Sequence, residues 1–362
     1  MAKHKQIIKV LSISTALLLC FFGFAALLGQ NQLALNAVAE ETEQSSSGSL
    51  TYSDGSIYEG EILYGRIRNG TGNFTWSTGE SYYGTWENDT PSGEGKMIWP
   101  NFGEYLGSFV NGKREGTGVF IWSYEGEPAE GAPVEYRGDW TGDQIGPNGT
   151  LTLAGIGKYE GAFSKQLRHG KGTFTWLNGD VYTGEWANDM INGKGTLTLS
   201  NGSVIEGEFA KGAIKNGSIK YSIKDGQIIR SIAGGKLQDS VEISYNDGTT
   251  VKGKVKGDEF VGNVTIIYSS GDTYTGAMKN GLKNGKGTYT WRSGAHYIGN
   301  WLNDKMSGTG KYYYSKDESR LYLQGNFTNG VPNGNLIYVA DTKLKYQTVW
   351  KDGKCTDIRY KK

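Results

Sequence analysis

Residues 159–204 read YEGAFSKQLRHGKGTFTWLNGDV and then YTGEWANDMINGKGTLTLSNGSV, and Ile205 opens a third copy with IEGE. Tyr159, Tyr182 and Ile205 are 23 residues apart. A fixed period of this size marks a repeat array in which each unit packs on its neighbours. The same phase extends both ways, with openings at Tyr58, Tyr82, Tyr105, Tyr136, Ile228, Val251, Tyr274, Tyr297, Leu323 and Tyr346. EGEPAEGAP (125–133) lengthens one step, and extra residues near DESR lengthen another. Residues 50–57 (LTYSDGSI) look like the second half of a unit, and between Ile205 and Gly271 glycines and aromatics thin out.

Within one unit, Tyr182, Gly184 and Trp186 occupy alternate positions, as do Gly195, Leu197 and Leu199. Period-2 alternation over five residues predicts a half-buried β-strand. Asn188-Asp189 and Asn192-Gly193 lie between the two strands, and Asn201-Gly202 follows the second. Such pairs tolerate the positive φ of tight hairpin turns. Each unit is therefore expected to be a β-hairpin, with tight turns joining consecutive units into an antiparallel meander. The apolar face gathers Trp86, Phe109, Trp140, Phe163, Trp186, Phe209, Trp301, Phe327 and Trp350 from first strands. Second strands add Trp76, Trp99, Trp122, Trp176, Tyr268, Trp291 and Tyr314. In-phase glycines leave room for neighbouring rings.

The order Y-x-G-x-W (Tyr182, Gly184, Trp186) followed by G-x-G (Gly193, Gly195) resembles the MORN (membrane occupation and recognition nexus) repeat. The same positions recur as Tyr159, Gly161, Gly170 and Gly172, and as Tyr274, Gly276, Gly285 and Gly287. The resemblance implies an elongated all-β sheet of about twelve to thirteen hairpins over residues 50–353, in a bacterial membrane-anchored or secreted member. Departures fall at Pro147/Gly149 and at Ile228 to Thr250, where Arg230 replaces the first glycine and Asp239/Val241 replace G-x-G. Strand pairing is expected to continue there, with less regular curvature.

Ahead of the array, residues 1–9 carry Lys3, Lys5 and Lys9, and Val10 to Leu28 runs without a charge. That length spans a bilayer as a helix, and the flanking lysines put the N-terminus inside and the repeats outside. Ala37-Val38-Ala39 before Glu40 offers a signal-peptidase site as the competing reading, giving a secreted product. Residues 29–49 read as a flexible tether and 354–362 as a tail. Residues 1–39 hold three of the 38 basic residues and no acidic ones, leaving 35 basic against 37 acidic beyond them. That balance excludes the basic field nucleic acid requires. Cys20 and Cys355 are not expected to pair.

Catalytic signals are absent. His4, His169 and His296 are dispersed and read as surface residues rather than metal ligands. Glu59, Glu61, Glu160, Glu185, Glu206 and Glu208 recur at the repeat period and read as solvated rungs, not a paired acid and base. The G-x-G pairs open no helix and so are not phosphate loops. No cofactor, metal or enzymatic activity is expected. The expected function is a membrane-tethered extracytoplasmic scaffold for protein or envelope interactions. A first alternative is a glycan or lipid-headgroup module using trough aromatics, with Trp76, Trp99, Trp122, Trp176, Trp291, Tyr312 and Tyr314 as ligand face, and Tyr313, Tyr322 and Tyr338 nearby. A second is self-association through sheet edges at Leu50–Ile57 and Tyr346–Trp350. The ring-poor stretch 205–270 is either a hinge or a docking zone.

Overall fold

The computed structural model describes residues 44–319, 321–341 and 344–361. These contain 28 strands, from Ser45–Thr51 to Lys354–Lys361, and no α-helix. The expected membrane span at 10–28, the cleavage site at Ala39, His4 and Cys20 lie outside the described residues. Among the described residues no helix is long and apolar enough to cross a membrane. The chain divides into two compact units. One holds the described residues up to Ser200 with Glu208–Ala213; the other holds Asn201–Gly207 and everything from Ile214 onward.

Within each unit, consecutive strands pair antiparallel, as the alternation and turn residues require. The strand Val181–Ala187 pairs with Leu167–Trp176 on one side and Met190–Thr198 on the other. The turn between hairpin strands is Asn188-Asp189, with φ of 49° and 64°. Two successive left-handed residues match the twist of the flanking strands. Asn192-Gly193, expected in that turn, lies inside the second strand instead. There one residue, Glu185, faces three, because the register slips between Gly184 and Trp186. Equivalent bulges follow Gly60, Gly84, Gly107, Gly138 and Gly161. Two of the periodic acids, Glu61 and Glu185, serve this bulge rather than merely facing water. Glu185 Oε2 accepts from the amide of Lys194 at 3.2 Å, and Glu61 Oε1 from that of Thr71 at 3.1 Å.

Glycines stand opposite glycines across the first unit, from Gly60↔Gly72 through Gly84↔Gly95 and Gly161↔Gly172 to Gly184↔Gly195. Over each pair lies the tyrosine that opens the repeat. A Cβ on Gly172 would come within 2.3 Å of the Tyr159 hydroxyl and 2.4 Å of its ring. The ring thus fills the volume that side chains would otherwise take. Its hydroxyl donates to the carbonyl three residues on: Tyr58 to Glu61 at 2.8 Å, Tyr82 to Thr85 at 3.0 Å and Tyr159 to Ala162 at 2.8 Å. Tyr58, Tyr82, Tyr105, Tyr136, Tyr159 and Tyr182 are all 0% exposed, as are Tyr274 and Tyr297 in the second unit. Burial pushes the Tyr58, Tyr82 and Tyr182 phenols up to about 12. First-strand rings then wedge edge-on between tyrosines. Tyr82 meets Trp86 at 5.2 Å and Phe109 at 5.0 Å, both near perpendicular, the arrangement ring quadrupoles favour.

A second device recurs in every other hairpin of the first unit. Arg68, Arg114 and Arg168 each lie over the tryptophan of the next hairpin, at 4.4, 4.3 and 4.8 Å from Trp86, Trp140 and Trp186. Each is bound by the aspartate of that hairpin's turn. Arg168 Nε donates to Asp189 Oδ1 at 3.1 Å and its Nη2 to the Asp189 carbonyl at 2.9 Å. In the second unit Lys283 takes this place, 3.4 Å from Asp304 and 5.3 Å from the Trp301 ring. Burial pulls the Arg114 and Arg168 guanidinium pKa values down, and the paired aspartates oppose this.

The stretch around 228–267 keeps pairing without the tyrosine latch. Gly226–Ala233 pairs with Lys236–Tyr245, and the bulge persists between Arg230 and Ile232. Arg230 stands where the first glycine would be and donates to the Gln238 carbonyl at 2.7 Å. The interior there is aliphatic: Ile232, Val241, Val251 and Val264.

The array is longer than its sequence pattern. Ser45–Thr51 is a strand paired with Ile57–Leu63, so residues 45–49 are not tether. Lys354–Lys361 is a strand paired with Leu344–Lys351, so the expected tail completes a hairpin. Tyr346–Trp350 consequently has partners on both sides and is no edge. His296, expected on the surface, is 7% exposed and stacks on Tyr313 at 4.5 Å.

Candidate functional site

The rings of this protein fall into two sets with different surroundings. First-strand tryptophans are enclosed and hydrogen-bonded. Trp86 is 2% exposed and Trp186 5% exposed, and their indole N–H groups donate to the carbonyls of Gly72 and Gly172, each at 3.2 Å. Second-strand tryptophans Trp76, Trp99, Trp122 and Trp176 are half-buried. Three of them pack tilted or edge-on against a buried phenylalanine: Trp76 against Phe74 at 4.5 Å, Trp122 against Phe120 at 4.8 Å and Trp176 against Phe174 at 4.7 Å. Trp99 lies 5.8 Å from Phe120 and 6.4 Å from Phe102. Among the described residues their indole N–H groups make no hydrogen bond.

These half-buried rings form a row where one hairpin connects to the next. Trp76 and Glu80 close one such turn, the Trp76 amide donating to the Glu80 carbonyl at 2.9 Å. Tyr52 and Ser56 close the preceding turn in the same way, also at 2.9 Å. Trp99 and Trp122 both stand opposite Gly103, one strand on either side of it. Along this line rings therefore alternate with small or acidic residues. Tyr52 is 36% exposed and supported by Phe74 at 5.5 Å. Sequence reading found the tryptophans but not Tyr52, Phe102, Glu80 or Gly103. The signal was there: each turn places its ring at the same phase as Trp176.

In the second unit Trp291 lies half-buried between Tyr289 at 4.8 Å and Tyr312 at 5.2 Å. Tyr314 occupies the row position, 47% exposed, 5.0 Å from Tyr312 and 6.3 Å from Tyr338. Tyr313, also expected to be exposed, is 5% exposed because alternation turns it to the other face, against His296. The face opposite the tyrosines carries a shallow open groove over Gly161, Gly172 and Gly184, lined by Glu160, Lys171, Thr173, Thr183, Glu185 and Lys194. It holds both charge signs. No cluster of metal-ligating side chains occurs among the described residues.

The MORN repeat profile matches at residues 82–104, 105–123, 159–181, 182–204, 274–296 and 297–318. The tyrosine opening each of these six stretches is 0% exposed, as are Tyr58 and Tyr136, which open latched hairpins outside the matches. No curated protein matches the chain. Solved structures do match, with 49 chains in all. One is the SAS-4 (dCPAP) TCP domain of Drosophila melanogaster in complex with a proline-rich motif of Ana2 (dSTIL). It is 12% identical, covers 53% of this chain and 84% of that one, and superposes with a TM-score of 0.25.

Proposed function

We propose that this protein is a non-catalytic interaction scaffold whose ligand-facing element is the row of half-buried rings, held on a rigid platform of tyrosine-capped glycines. The MORN repeats support a repeat-based interaction role. The observation that carries the reading is the division among tryptophans. Enclosed ones spend their N–H on the fold; those in the row are partly exposed and leave their N–H unbonded. The uncharged run from Val10 to Leu28 behind Lys3, Lys5 and Lys9 supports a tether in the cytoplasmic membrane with the repeats outside.

Two experiments test this. Protease added outside intact cells should digest the repeats and spare an epitope at residues 1–9; a protected array would overturn the topology. Intrinsic tryptophan fluorescence of the full chain should respond to a ligand among envelope glycans, anionic vesicles and peptides. The response should vanish in a folded Trp99→Leu/Trp122→Leu variant. Binding retained by that variant would place the ligand elsewhere.

A further inference from the structure

Tyr52, Trp76, Trp99 and Trp122 recur at every second strand. Trp99 and Trp122 share Gly103 as their register partner. They are therefore two strand spacings apart, about 9.6 Å. A polyproline II helix advances about 9.3 Å per turn of three residues. A chain in that conformation, lying across the strands, presents one side chain to each successive ring. We propose that the row from Tyr52 to Trp122 binds a basic, proline-rich segment of a partner protein in the polyproline II conformation, one proline seated at each ring. This rests on the reading of the row as the ligand face.

Two features favour this occupant. First, a polyproline II chain has no internal hydrogen bonds, so its carbonyls are free acceptors, and its prolines carry no N–H. The row offers the complement, donors without acceptors of their own, in the indole N–H groups of Trp76, Trp99 and Trp122. Aromatic-lined grooves are a general receptor for such segments because the ligand has little conformational entropy left to lose. Second, the connections are acidic. Asp54, Glu80, Glu125 and Glu127 lie in the connections 52–56, 76–81, 99–104 and 122–134, which contain no lysine or arginine. Arg68 approaches Tyr52 at 5.8 Å and Arg114 approaches Trp99 at 5.6 Å, but each is held by the aspartate of the next hairpin's turn. An acidic margin selects lysine or arginine at the ligand positions between prolines.

The test uses the full chain and a fluorescein-labelled peptide of repeated Pro-Pro-Arg, read by anisotropy at physiological ionic strength. Repeated Gly-Gly-Arg controls for charge, repeated Pro-Pro-Glu for its sign, and a β-1,4-linked N-acetylglucosamine hexamer for the glycan alternative. The expected result is binding of Pro-Pro-Arg alone, weakened about tenfold or more by Trp99→Leu. Glu80→Lys should weaken it as well. Glu80 lies in a surface turn, so this second variant decides the matter if Trp99→Leu fails a circular-dichroism check. Binding of Gly-Gly-Arg as tight as that of Pro-Pro-Arg, or Pro-Pro-Arg binding untouched by both variants, would overturn the proposal. Capture of the hexamer, lost in Trp99→Leu, would also overturn it while leaving the row as the ligand face. If no probe distinguishes wild type from a folded Trp99→Leu, the reading of the row fails too.

Discussion

The hairpins between Tyr58 and Thr198 and those between Gly226 and Ile267 share a backbone plan but not an interior. Both pair antiparallel, and both carry a bulge at or beside the residue two positions after the one that opens the repeat. In the first set a tyrosine covers a glycine pair and donates to a carbonyl three residues on. In the second, Ile228 and Val251 stand in the tyrosine's place, and Gly253 faces Val241 rather than glycine. Turns and period-2 alternation are thus enough to set register. The tyrosine–glycine latch adds close packing and a row of hydroxyl bonds, and with it the support on which half-buried tryptophans can stand.

The sharpest way to break this comparison is to remove an arginine from each set. Arg168→Ala strands the Asp189 carboxylate in a site where the pair's side chains are 1% and 7% exposed. Loss of one partner of a buried pair costs about 3–5 kcal/mol. Arg230→Ala removes only bonds to the Gln238 carbonyl, for which about 1 kcal/mol is expected. Urea unfolding followed by tryptophan fluorescence reads both, and equal losses would show that the staple contributes nothing specific.

A smaller effect follows from the glycines. Gly172→Ala drives a methyl into the Tyr159 ring, and overpacking of this kind costs about 1–3 kcal/mol. Gly262 has open space around its Cβ position and a φ of 73°, so Gly262→Ala should cost only the left-handed penalty, about 1–2 kcal/mol. The same unfolding assay should rank them in that order, and additional loss of near-ultraviolet circular dichroism is expected only for Gly172→Ala.

How much of this was legible beforehand depends on whether the signal repeats in every unit. Tyr182, Gly184, Trp186 and Gly195 recur with the period, so hairpin, glycine pair and ring all follow from the sequence. Arg168 and Asp189 do not, because the staple appears only in alternate hairpins and its partners are 21 residues apart. Comparing Arg68, Arg114 and Arg168 at one phase with Asp89, Asp143 and Asp189 at another would have exposed it. The strands Ser45–Thr51 and Lys354–Lys361 were missed because SSSGSLT and KCTDIRYK lack apolar alternation; each is held by the backbone of a neighbour. His296 and Tyr313 were misplaced for another reason. They pack on the face opposite the tyrosines, where Glu318 also approaches His296 Nε2 at 3.2 Å.

The subtler predictions concern the latch hydroxyl. Tyr159→Phe keeps the ring and loses the bond to Ala162, leaving that carbonyl short of a partner, for about 1 kcal/mol. Alkali tests the same groups together. Burial holds Tyr58, Tyr82, Tyr159 and Tyr182 at about 12 in the folded protein, against about 10 when unfolded. The folded state therefore prefers the protonated phenol. Stability from this source is complete below about pH 10 and is lost as pH rises toward 12. Ultraviolet absorbance should show these phenols ionising only as their hairpins open.

Hydrogen exchange of the intact chain, resolved by peptide, goes to the heart of the comparison. Both regions have their strand amides paired, so pairing alone would protect them alike. If the latch supplies the rigidity, the amides of Val181–Ala187 and Met190–Thr198 should exchange far more slowly than those of Gly226–Ala233 and Lys236–Tyr245, and Tyr182→Ala should erase the difference. Equal protection in the two regions, or slow exchange surviving Tyr182→Ala, would mean that the backbone ladder stabilises this array and the tyrosines only decorate it.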